Sequence, residues 1–274
     1  MAEAMQHSVH EGVPSVARAL IWEVFFRSRG RGMGLPSHYP WIDTSTGVTT
    51  ILIGTDQPGD ETKAAAGLVI KETPMADGRK VGLVGLVCVD EAFRGKGLGH
   101  TLVAAATEVG RDRAFDTLVL WTNKPNVYAK HGFAVDSADR YGPVWTPAHE
   151  GTDPPFCHDL AGLKTDDISA RGIPAFAKTV LVFSSDNAAI TVLPAVQGYT
   201  LTDWEGDWEG VFRLIEQILP ATWSLNAPAD SAILAELRSR AYKSDLSPGS
   251  YRMIHELSGR DLPRLPYIPL LNRI

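Results

Sequence analysis

The sequence predicts an α/β chain of mixed, α+β character: a central sheet flanked by helices, then a second, smaller α/β module. Three observations carry this. The run Val81–Val89 is apolar on both faces and reads as a central strand covered on both sides. A glycine-rich turn at 94–99 leads from it into a helix, where Leu98, Leu102, Ala105 and Val109 recur at helical spacing. Pro, Gly and Asp crowd residues 143–175, between two stretches that each alternate strands with helices.

Taken in order, residues 1–12 read as a frayed tail. Residues 15–28 form a helix with Ala17, Leu20, Ile21, Val24 and Phe25 on one face and Ser15 as its cap. A loop rich in Gly, Pro and aromatics follows. Strands are expected at Val48–Ile53, Ala66–Lys71 and Val81–Val89, with Asp77-Gly78 as the hairpin turn before the third. The helix after the glycine turn runs to about residue 112. A buried strand at Thr117–Trp121, a short helix at 125–131 and a strand from near Phe133 complete a first domain, 1–147. Residues 148–175 are read as a linker. In 176–274, strands are expected at Thr179–Ser184, Ala189–Leu193, Tyr199–Asp203, Ala221–Leu225 and Tyr251–Glu256. Helices are expected at 207–219, capped by Asp207 and stopped by Pro220, and at Ser231–Tyr242. The proline-rich end holds Leu262, Leu265, Tyr267, Ile268, Leu270 and Leu271. It is too apolar for water and should pack on the body or on a second subunit of a homodimer.

Composition narrows the function. Of 274 residues, 44% are hydrophobic, which is enough to build a core and excludes wholesale disorder. The 26 basic and 32 acidic side chains leave a net charge of −6, which opposes a broad nucleic-acid surface but permits a local anion site. Cys88 and Cys157 cannot build a disulfide framework. Cys157-His158 with His149 supplies three metal ligands at most, so no metal is expected. No apolar run approaches the ~18 residues of a membrane helix, and MAEAMQHSVHEG lacks the order of a signal peptide. A soluble, cytoplasmic protein is the expectation.

The chemistry lies in Val87-Cys88-Val89-Asp90-Glu91-Ala92-Phe93-Arg94-Gly95-Lys96-Gly97-Leu98-Gly99-His100. Free N–H groups in the first turn of a helix bind phosphate oxygens, and glycine lets backbone approach them closely. Arg94 and Lys96 add charge. On physics alone this is a phosphate cradle. A dinucleotide fingerprint fails, because its last position falls on His100 or Leu102. A Walker A loop fails as well, with Asp90 at its first position and Gly97 at its last.

R-x-x-G-x-G does fit, at Arg94, Gly97 and Gly99. After the Thr117–Trp121 strand come Asn126 and Tyr128-Ala129-Lys130-His131-Gly132-Phe133, a tyrosine just ahead of Gly-Phe. With both features in this order, the first half of the chain resembles the GNAT family of N-acetyltransferases, which implies a splayed central sheet and an acetyl-CoA site. Arg94, Gly95, Lys96, Gly97, Leu98, Gly99 and His100 would hold its diphosphate. Val87, Cys88 and Val89 would line the pantetheine arm, and Asn126 would contact the cofactor. The Val89 amide would face the oxyanion, and Tyr128 would be the general acid for the leaving thiolate. The alternative for Tyr128 is a core aromatic with its hydroxyl on backbone. Cys88 reads as a small core residue, not a nucleophile.

The acceptor side is less legible. RGRGMG at 29–34 reads either as a segment over the acceptor site or as plain surface loop. Arg29, Arg31, His38, Tyr39, Trp41 and Trp121 are candidate contacts, and Glu23, His38, Asp43 and His100 are all conceivable general bases. The resemblance implies acetyl transfer to a small-molecule amine. Another acyl group, a hydroxyl acceptor, a protein amine, or a CoA-binding sensor or scaffold without turnover stay open. The second half lacks both motifs, and its strand–helix–strand unit resembles a degenerate half of the same fold with no CoA site.

Overall fold

A computed structural model describes residues 7–27, 34–54, 63–147, 173–196 and 198–274. They form two compact units. One comprises Met1–Asp136, Arg252–Pro266 and Arg273–Ile274; the other comprises Ser137–Tyr251 and Tyr267–Asn272.

In the first unit the expected frayed tail is in fact a strand. β1 (His7–Glu11) pairs antiparallel with β2 (Val48–Gly54), with Val9 opposite Ile51. Backbone bonds hold it at the sheet edge, and its half-exposed side chains carry no apolar alternation to detect. The helix α1 (Ser15–Phe25) buries Ala17, Leu20 and Ile21, one turn apart. Ser15 does not cap it. Pro14 is the N-cap residue, and its carbonyl takes the Arg18 N–H. A short helix, α2 (Leu35–His38), follows.

β3 (Ala64–Pro74) and β4 (Lys80–Val89) continue the antiparallel sheet, joined through Gly78 at φ +81°. After α3 (Leu98–Asp112), β5 (Thr117–Thr122) returns parallel to β4. Then come α4 (Pro125–Ala129) and β6 (Ala134–Trp145). Side chains of β2, β3, β4 and β5, among them Ile51, Ile53, Leu68, Ile70 and Leu118, pack against Leu98, Leu102, Ala106 and Val109 of α3. The opposite sheet face meets α1, where a Cβ on Gly67 would reach Leu20. β4 is therefore covered on both faces, as its unbroken apolar run requires.

The second unit has its own core. Its strands are β7 (Leu181–Ser184), β8 (Ala188–Ala195), β9 (Gly198–Gly206) and β10 (Thr222–Pro228), in spatial order β6-β10-β9-β8-β7. The helix α5 (Trp208–Ile218) and the short α6 (Ile233–Ser239) cover one face, burying Val211, Phe212, Ile215, Ile233 and Leu237. The helix expected at 231–242 stops early, because Ala241 turns left-handed at φ +60°. Two further strands follow, β11 (Lys243–Ser244) and β12 (Ser247–Glu256). This unit begins at Ser137 rather than after a linker at 148–175, because β6 pairs with β10 from Asp139 to Trp145. Residues 148–172 lie outside the described residues. Among the described helices none is long and apolar enough to cross a membrane.

The proline-rich segment is held rather than loose. Leu265 is buried, while Tyr267 stays 37% exposed. In the first unit two buried arginines donate to its carbonyls. Arg79 reaches Pro263 O at 2.7 Å, and Arg252 reaches Leu265 O and Pro266 O at 2.9 and 2.6 Å. Asp136 fixes the Arg252 guanidinium through its Nε at 2.6 Å. Arg252→Met leaves two carbonyls without their donor and Asp136 with only Arg264 Nε at 3.6 Å, which should cost about 1–3 kcal/mol of stability. Urea unfolding should show this as a lower midpoint, and Arg252→Lys should recover only part of it because it lacks the planar fork.

Candidate functional site

β4 and β5 pair only over Val81–Leu83 and Thr117–Val119. Beyond that point β4 continues to Val89 without β5, so a gap opens along one edge of its second half. A bulge marks the place. Gly67 pairs with Cys88 and Val69 with Gly85, so Leu68 faces both Leu86 and Val87. Leu86 sits at φ +50°, a left-handed conformation that costs a branched residue about 1–3 kcal/mol.

Ladder parity then aims the backbone. Asp90 N–H donates to Ala65 O at 2.9 Å. Antiparallel ladders alternate bonded and non-bonded pairs, so Val89 and Ala66 form a non-bonded pair. The Val89 N–H and C=O point away from β3, into the gap, and so do those of Val87. Their side chains pack on the α3 core. Cys88 is buried, and burial pushes its thiol up to about 12, so it stays protonated across neutral pH.

At the end of β4, Asp90 accepts from Ala92 N–H and starts a short turn that delivers Arg94, Gly95, Lys96 and Gly97 to α3. Gly95 and Gly97 adopt φ +77° and +79°, where any Cβ is strained. The α3 bonds begin at Gly97 O, which accepts from His100 and Thr101. Among the described residues, the amides of Gly95 through Gly99 donate to no backbone carbonyl. No side chain caps this end and no acid occupies its first turn. Arg94 and Lys96 are exposed beside it, with the Lys96 ammonium 4.7 Å from the Phe93 ring centre. Five amides, a helix terminus and two cations converge without a partner, which fits a diphosphate.

The second unit has the same strand–turn–helix order but not the same chemistry. β9 and β10 pair in parallel over two residues, and α5 starts at a turn. There Asp207 caps the helix, accepting from Gly210 N–H at 2.7 Å, and Glu209 stands in the first turn. The terminus that could hold an anion is filled by the chain's own carboxylates.

Tyr128 lies on α4 just past β5, half-buried against the α3 core, its ring edge-on to Phe133 at 6.3 Å. Burial raises its hydroxyl above the ordinary phenol range. Asn126 is exposed on the first turn of the same helix. His100, in the first turn of α3, shares a 2.8 Å hydrogen bond with His131.

The acceptor-side candidates separate. Arg29 and Arg31 lie outside the described residues. His38 is 2% exposed, its ring 4.6 Å from that of Phe26, so it packs and is not an open contact or base. Glu23 pairs with Arg27 at 2.8 Å, and Asp43 pairs with Arg18. The Tyr39 and Trp41 rings are tilted against each other with centres 5.4 Å apart, and the Lys71 ammonium lies 5.9 Å from the Trp41 ring centre. Trp121 is half-buried with the Arg273 guanidinium 4.5 Å over its ring. Ile274 crosses Gly85, where an added Cβ would come within 2.6 Å of it. Sequence reasoning missed Arg273, Ile274 and His131. No local pattern links the far end of the chain to β4, and His131 sat inside a motif read only for its tyrosine.

The sequence profile described as acetyltransferase (GNAT) family matches residues 17–133. No curated protein sequence matches the chain. Among solved structures, a GCN5-related N-acetyltransferase from Anabaena variabilis is similar at 13% identity and a TM-score of 0.59, over 92% of this chain and 73% of that one. A probable N-acyltransferase from Enterococcus faecalis is similar at 9% identity and 0.58, over the same shares. A tandem GNAT protein from the clavulanic acid biosynthesis pathway is similar at 10% identity and 0.50, over 93% and 100%. At these identities the likeness establishes a mixed α/β fold of this kind and nothing finer.

A thiol held near 12 is a poor nucleophile. Iodoacetamide at pH 8 should leave Cys88 unmodified in the folded chain and alkylate it in urea, read on the peptide containing it by mass spectrometry.

Proposed function

The chain belongs to the acetyltransferase (GNAT) family through residues 17–133, and on that premise we propose that it passes an acetyl group from acetyl-CoA directly to the amine of a small molecule. Family membership carries acyl transfer from an acyl-CoA. The acetyl group, the amine and the ternary complex are our inference. The observation that supports it is unpaired backbone at two places in one segment, Val87 and Val89 facing the gap and the amides of Gly95–Gly99 at the start of α3.

Acetyl-CoA supplies an acyl group activated as a thioester. The amides of Gly95–Gly99, with Arg94 and Lys96, hold the diphosphate. Val87 and Val89 offer a strand edge that an amide-bearing pantetheine can extend. The Val89 N–H lies where it can donate to the carbonyl oxygen as charge develops on it. Tyr128, kept protonated by burial, holds the proton that the leaving sulfur needs. Cys88 is buried and protonated, which favours direct transfer over an acyl-cysteine. Holding both substrates together supplies most of the acceleration.

With acetyl-CoA and a panel of primary amines, the chain should release free CoA thiol; no release with any amine overturns the proposal. Tyr128→Phe should lower kcat roughly 10²–10⁴-fold and leave CoA affinity intact. Because the raised hydroxyl stays protonated through neutral pH, any loss of rate caused by ionising Tyr128 should begin only above the ordinary phenol range near pH 10. Arg94→Glu should weaken CoA binding at least tenfold in calorimetry, by placing a carboxylate at the diphosphate.

A further inference from the structure

Three imidazoles gather near the start of α3, and the chemistry above uses none of them. His100 Nδ1 and His131 Nε2 stand 2.8 Å apart, with ring centres at 5.1 Å. At that distance one nitrogen donates and the other accepts, so the two rings share one hydrogen and are not both protonated at these nitrogens. The bond ties the first turn of α3 to the residue three beyond Tyr128, whose own N–H donates to Tyr128 O. His255 lies behind, its ring 5.3 Å from that of Phe133 and its Nδ1 buried without a hydrogen-bond partner among the described residues.

We propose that His131 is a phosphate-binding residue of this site, and that it takes up one proton from solvent when the CoA diphosphate docks. This rests on the reading of Arg94–Gly99 as the diphosphate cradle. The charged and titratable groups around His131 are His100 and Lys130, with His255 behind it, which itself faces Arg111 of α3 and Glu256 of β12; Arg94 and Lys96 stand in the turn that leads to His100. Glu256 is the one carboxylate among them, and it already accepts from Thr117 Oγ1 at 2.7 Å. Partial burial first, then His100, then Lys130, hold His131 below the ordinary imidazole range. At rest burial and its cationic neighbour favour the neutral form of His131. A docked diphosphate reverses the local field and favours the charged imidazole. The only bond made is N–H, at the ring nitrogen freed when the shared hydrogen bond opens toward the phosphate oxygens.

Calorimetric titration of CoA into the full chain at pH 7.5, in buffers of different ionisation enthalpy, reads the proton directly. The expected result is binding with a net uptake approaching one proton, and affinity that falls up to about tenfold per pH unit above the range where free His131 titrates. Dephospho-CoA keeps the diphosphate and should give the same uptake; loss of uptake with it overturns the assignment to that group. His131→Asn should abolish the uptake and weaken binding. His131→Arg, always charged, should bind without uptake and with little pH dependence. His255→Asn should leave the uptake intact; if it removes the uptake while His131→Asn keeps it, the proton belongs to His255 and the inference fails. CoA that binds with no buffer dependence also defeats it. No CoA binding at all defeats the cradle itself.

Discussion

The first unit depends on β4 and β5 parting company. Three residues of parallel pairing hold them, and from Val84 onward β4 runs alone on that side. A buried strand with one unpaired edge is costly, because each unmet backbone group in an apolar setting carries a desolvation penalty. The bulge at Leu86 and Val87 sets the parity with which Val89 presents its amide, and Leu86 carries the left-handed φ of that bulge. An extended, amide-bearing ligand satisfies that edge as a neighbouring strand would. The gap follows from where pairing stops, and the site follows from the gap.

The second determinant is electrostatic, and it shows when the two halves are set side by side. Both units lead a strand through a turn into a helix. α3 starts at a left-handed glycine with no cap and no acid, whereas α5 starts at Asp207 with Glu209 behind it. One terminus is left for an external anion, and the other is filled by the chain itself. The net charge of −6 therefore says little about the ligand. What matters is that Arg94 and Lys96 stand at the start of α3, which carries no carboxylate in its first turn.

The strands and helices with strong periodicity were legible. β4, α3 and α5 carry their burial in their own spacing, and Asp207 announced its helix. β1 was not, because an edge strand held by backbone bonds needs no apolar alternation. Ser15 looked like a cap, yet Pro14 already stood in the extended conformation that a helix start requires. The turn and the tyrosine were readable because their chemistry is local. The bulge was invisible, since it is a property of two strands together. Arg273 over Trp121 and Ile274 over Gly85 join residues more than a hundred positions apart. His38 looked like a contact by residue type alone, and its burial against Phe26 removes it.

Amide hydrogen exchange with and without acetyl-CoA, resolved to short peptides, tests the central claim most directly. The account predicts slowed exchange at Val87–Val89 and at Gly95–Gly99, with no change at the start of α5. Unchanged exchange across 87–99, or protection centred on 207–210, would contradict it.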